Sequence, residues 1–132
     1  MSTISVLWDS TWNSTSIAAS TVTNTSSATT AAIDNSNHAA TEISVTIVYG
    51  GTATTGAVVN ILRMVDDTPT FESATNDSPF GFSLPFATST TFHRSITVAG
   101  DRISKFKVYV SNNTGASITA TVNYKQSTVQ IV

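Results

Sequence analysis

Two histidines, His38 and His93, stand beside eight carboxylates, 19 serines and 24 threonines in this 132-residue chain. Nucleophilic catalysis needs a hydroxyl or thiol, a base and an orienting acid within hydrogen-bond reach. His38 lies in the polar run "DNSNHAAT", and His93 in an alternating stretch on the face opposite Phe92. With so many hydroxyls, some serine falls near some histidine by number alone, and neither histidine has a spacing that marks a site. Asp66, Asp67 and Asp77 raise the question of calcium. A calcium loop alternates oxygen ligands around a sharp glycine turn and closes on a carboxylate. "DDTPTFE" has neither the glycine nor the spacing, so these residues read as turns. Glycoside hydrolysis needs two facing carboxyl groups, and the two Glu and six Asp fall mostly in turns. There is no cysteine, hence no disulfide and no thiolate metal site. No catalytic residue, cofactor or metal site is expected. Four Asn-X-Ser/Thr matches, such as "NST" at 13–15, are what a chain this rich in Asn, Ser and Thr produces by chance.

The apolar residues outside regular patterns say more. Trp8 is in register with Ile4 and Val6, which suits a core position, while Trp12 falls outside that alternation. Phe80, Phe82 and Phe86 lie in a long loop, Asn76–Ser89, whose Pro79 and Pro85 bar it from the middle of a sheet. These rings either fold back over the core or form a patch that marks a partner or sugar site. Ile17 and Val22 punctuate a stretch of Ser, Thr, Ala and Asn over residues 14–32. Together these seven residues are the expected partner interface.

The elements that must carry them are strands. Charged residues make up 11% and apolar residues 40%, with a mean hydropathy of +0.10. Global disorder needs the opposite balance. Thr, Val and Ile suit a pleated surface. Alternation recurs at "TISVLW", at "TEISVTIVYGG" and "TTFHRSITVAG", and at "ISKFKVYVSN" and "ITATVNYKQ". "AVVNILRMV" is apolar on both faces, as in a central strand. Gly50-Gly51 is expected to end its strand by supplying positive φ. "NNTGAS" is expected to close a hairpin between the strands on either side of it. Thr70–Ser73 and "TVQIV" complete the set as short strands. The expected fold is all-β: an antiparallel β-sandwich of seven or eight short strands with an extended N-terminal arm. The arm covers 1–32 and the sandwich domain 33–132. The arm is expected to pair with a sheet edge of its own domain or a neighbour, and to be mobile when no partner is present.

Six scattered basic residues and a net charge of −2 give no nucleic-acid footprint. No apolar run approaches the roughly 18 residues that span a membrane. The N-terminus lacks the pattern of a secretory signal, so synthesis and retention in the producing cell's cytoplasm are expected until assembly.

Three stretches carry a resemblance: "TAAIDNSNHAATEISVTIVYG", "TGAVVNILRMVDD" and "ISKFKVYVSNNTGASITATVNY". In this order they resemble small β-rich structural proteins of tailed-bacteriophage virions, over most of the chain after about residue 28. The loop "VDDTPTFES" departs from the plainer turn of that pattern. The resemblance implies a capsid decoration (cement) protein, present in many copies or as a homo-oligomer. Its partner would be the major capsid protein or other virion proteins, with no enzyme activity. A tail, neck or fibre component and a host-glycan-binding module are the alternatives.

Overall fold

The structure is a computed structural model that describes residues 2–66, 68, 70–77, 79–99 and 105–131. Asp67, Pro69 and the Ile103-Ser104 start of one expected strand lie outside the described residues. In chain order the strands are β1 (Ile4–Trp8), β2 (Asn13–Ser14), β3 (Ser20–Val22), β4 (Ser26–Thr29), β5 (Ile33–Asp34) and β6 (Ala40–Val48). They continue with β7 (Val58–Arg63), β8 (Phe80–Ser83), β9 (Thr91–Ala99), β10 (Lys105–Asn112) and β11 (Ile118–Ile131).

Two antiparallel sheets face each other as a sandwich, and the described residues contain no helix. One sheet runs β1-β11-β6-β9, with β2 and β3 also on β11; the other runs β4-β10-β7-β8, with β5 also on β10. Period-two patterning sets the inner faces. Ile43, Val45, Ile47 and Tyr49 of β6 and its extension meet Phe106, Val108 and Val110 of β10, all buried in one cluster. Ile118, Ala120 and Val122 of β11 join them. β7 is central, between β10 and β8, as its apolar faces require.

Eleven strands are described where seven or eight were expected, and the expected strand at Thr70–Ser73 is only a bridge from Phe71 to Met64. Four further sequence expectations change. First, the serine- and threonine-rich stretch pairs with edges of its own domain, one of the two expected pairings, but its apolar residues are not left for a partner. β3 pairs with Ile118–Ala120 and β4 with Tyr109–Asn112. Ile17 and Val22 are 2% and 3% exposed and belong to the common core, not to a partner interface. Two well-placed apolar side chains suffice because the backbone of the segment is satisfied by the edges of β10 and β11. Second, β10 and β11 form no hairpin; they lie in opposite sheets. Asn112, fully buried, redirects the chain between them. Its Nδ2 donates to Val22 O (2.8 Å) and Ala116 O (2.7 Å), and its Oδ1 accepts from Thr114 N–H (3.0 Å) and Oγ1 (2.7 Å). Gly115 follows at φ +97°. Third, Phe80–Ser83 is a true edge strand on β7, because Pro79 and Pro85 fall just outside it. Fourth, Gly50 keeps ordinary φ, and Gly115 is the glycine in the left-handed region among the described residues. A Cβ on Gly50 would sit 3.0 Å from Ser117 O, so close backbone approach is what it permits.

Candidate interaction surface

β1, β2 and β3 follow one another along a single edge of β11, on the side opposite β6. β6 covers β11 only as far as Gln126, with further bonds to Ser127 from Ala39 N–H to its carbonyl (3.2 Å) and between Ala40 and its hydroxyl. Beyond that point β1 and residues 127–131 form a two-stranded ribbon, with no other strand beside it among the described residues. Directly opposed residues of an antiparallel pair project to the same face. The register Ile4↔Ile131, Val6↔Val129 and Trp8↔Ser127 therefore places five large apolar side chains on one face. Ser5, Leu7, Thr128 and Gln130 take the other. All five are exposed, Ile4 by 69% and Ile131 by 74%. Neither Ser2–Trp8 nor Gln126–Ile131 contains a charged residue.

Each candidate residue now has a place. Trp8, whose register suited a core position, is instead exposed on the ribbon's apolar face, because residues 127–131 beside it lie beyond the end of β6. Trp12 is exposed just beyond, with Lys125 Nζ 5.1 Å from its ring centroid. Ile17 and Val22 are core. Phe82 is buried, with the Arg94 guanidinium 4.6 Å over its ring. Phe86 is partly exposed and meets Tyr49 edge-on at 6.1 Å. Phe80 is exposed on β8 and lines a cleft of about 280 Å³ with Ile61, Arg63, Ile96, Val98 and Ala99, where the sandwich opens between β8 and β9. The structure thus brings Trp8 and Trp12 to one edge and Phe80 and Phe82 to the opposite one. Val129 and Ile131 were legible only through a pairing: "TISVLW" and "TVQIV" alternate in matching phase.

The described titratable groups make local contacts. His93 Nδ1 meets Thr46 Oγ1 at 2.9 Å and His38 Nδ1 meets Ser127 O at 3.1 Å. No carboxylate hydrogen-bonds to either ring among the described residues. Asp66 Oδ1 accepts from Thr68 Oγ1 (2.8 Å), Thr68 N–H (3.0 Å) and Thr70 N–H (3.1 Å). These bonds, the Thr68 hydroxyl foremost, hold its carboxyl below the usual carboxylate range. Among the described residues no three His, Asp or Glu gather into a group able to hold a metal.

No known protein family matches the chain, and no curated protein sequence does. Solved structures share its fold. A β-porphyranase of glycoside hydrolase family 86 from Bacteroides plebeius is 12% identical with a TM-score of 0.55, over 98% of this chain and 22% of that one. The enzymatically active domain of bacteriophage CBA120 tailspike protein 4 is 10% identical with a TM-score of 0.51, over 93% and 19%. A protein of infectious bursal disease virus, Gx strain, is 9% identical with a TM-score of 0.51, over 96% and 32%. This chain spans about a fifth to a third of the length of those chains. Such low identities establish the β-rich fold alone.

Proposed function

We propose that this protein is a non-enzymatic structural component of a tailed-phage virion, of the capsid decoration type. It attaches to the shell of major capsid protein through the apolar face of the β1–β11 ribbon. That face carries the reading: five large apolar side chains on an uncharged ribbon that the sandwich core does not use. Contiguous exposed apolar patches mark partner surfaces. Interface cores are depleted in charge, as this face is, and Trp8 gives it an aromatic side chain. Bound across neighbouring capsomers in many copies, the protein adds buried area to a shell under internal pressure. Repetition by symmetry makes modest single contacts sufficient. The same sandwich occurs in a virus particle and in a phage tailspike, so the fold itself is no obstacle to this role.

The test is co-sedimentation of the purified protein with phage heads that lack it. Binding should saturate at a fixed copy number per capsomer. The variant Ile4→Ser with Val129→Ser should keep its fold and lose at least about tenfold in affinity, the equivalent of about 1.4 kcal/mol. Binding to host cells or sugars, with none to heads, would favour a glycan-binding module instead.

A further inference from the structure

The ribbon has an edge as well as a face. Asp9 N–H donates to Gln126 O (3.0 Å), and Gln126 N–H donates to Asp9 Oδ2 (3.0 Å). In an antiparallel ladder alternate residues turn their N–H and C=O towards the partner strand. With Asp9 facing β11, Leu7 and Ser5 face it too. Ile4, Val6 and Trp8 turn theirs outward, where no strand lies among the described residues. Open edges are normally guarded by lysine, proline or a bulge. Ser2–Trp8 has no charge and no proline, and the five pairs of its ladder run without interruption.

We infer that the outward edge of β1 pairs antiparallel with β1 of a second copy, about a two-fold axis at Val6. The edge presents an odd number of outward residues, centred on Val6. An antiparallel copy aligned there sets Val6 against its own mate and Ile4 against Trp8 of the other copy. These are hydrogen-bonding pairs, each exchanging two backbone bonds. The contact is isologous and closes, so it yields a dimer and not a filament. It is electrostatically permitted, because no residue of β1 would confront its own charge. It sets β-branched Ile4 beside the ring of Trp8, a favoured cross-strand combination. The joined ribbon has the strand order β11-β1-β1-β11. Its two apolar faces merge on one side, since opposed residues share a face. The inference rests on the docking reading only for what that doubled face is used for; the pairing itself needs no particle.

The chain has no cysteine, so single thiols can be placed at will. Val6 and Val129 are 52% and 51% exposed and share one face. In the proposed dimer the two Val6 Cα atoms lie about 5.5 Å apart. The two Val129 residues are separated by three strand spacings, about 14 Å. Val6→Cys and Val129→Cys would be treated separately, as free protein, with a one-carbon bis-thiosulfonate crosslinker. Val6→Cys should give covalent dimer at least about tenfold faster. Adding Ile4→Pro to Val6→Cys removes an outward N–H without touching the β1–β11 ladder, and should lower the rate to that of Val129→Cys. Equal rates for the two thiols, as face-to-face packing or random collision would give, would overturn the inference. So would a rate indifferent to Ile4→Pro in a variant whose thermal melt is unchanged. Particle binding is measured separately, so selective crosslinking with no binding to heads would sink the docking reading alone.

Discussion

Tyr49 holds the β6 end of the sandwich closed. Its hydroxyl donates to Leu84 O (3.2 Å) and accepts from Ala57 N–H (3.0 Å), and its ring packs edge-on against Phe86 and Phe92. One phenol thus satisfies two backbone groups that no strand reaches. Burial pushes its ionisation above the ordinary tyrosine value, and the Ala57 bond pulls the other way without cancelling that. A group whose native pKa is raised stabilises the fold fully below its unfolded pKa, about 10 for tyrosine, and loses that contribution as pH rises through the native value. Tyr49→Phe should therefore cost about 1–3 kcal/mol at neutral pH, by stranding both partners. It should also flatten the fall in stability above about pH 10. Urea unfolding of parent and variant across that range checks both. The inward position of Tyr49 was legible from its phase with Ile43, Val45 and Ile47. Its two bonds were not, since Leu84 is 35 residues away and Ala57 lies beyond the glycine turn that ends the strand.

At the scale of elements, composition misled in one place. Residues 14–32 read as an extended arm with Ile17 and Val22 at a partner interface because Ser, Thr and Asn dominate, yet β2 to β4 lie in the two sheets and Ile17 and Val22 lie between them. The backbone of an edge strand is satisfied by the strand beside it, so few apolar side chains are needed to hold it. Thr15 adds a side-chain bond to Val122 O (2.8 Å), and Thr30 Oγ1 accepts from Val108 N–H (3.0 Å). The alternation of β6, β10 and β11 was plain in the sequence. The sheet each belongs to was not: alternation fixes an inner face, whereas Asn112, a single buried amide, decides that β10 and β11 part. Ile17→Ala should cost about 2–5 kcal/mol, as core truncations do. Val6→Ala, on the exposed ribbon, should stay within about 0.5 kcal/mol. Urea titration of the two variants separates them, and equal costs would mean that the segment around Ile17 does not share the core.

The whole molecule is defined by how little charge it carries. Eleven per cent of its residues are charged, and three of the cations lie over aromatic rings, Lys125 at Trp12, Arg94 at Phe82 and Lys107 at Phe71. The surface is left to hydroxyls, which lose less than charges when a partner removes their water. The ribbon carries this to its limit, with no ionisable side chain from Ile4 to Trp8 or from Ser127 to Ile131. Attachment through such a surface has no Coulombic attraction to screen. Raising salt from physiological levels to about 1 M shortens the Debye length from about 8 Å to about 3 Å. An attachment led by basic or acidic residues would weaken steeply over that range. Attachment through the apolar ribbon should hold or tighten, because kosmotropic salts strengthen apolar burial. Urea should release the protein by weakening that same contribution. Sedimentation of decorated heads through sodium sulfate and through urea reads both trends. Release by salt alone would place the contact elsewhere, among the few basic residues near the cleft between β8 and β9.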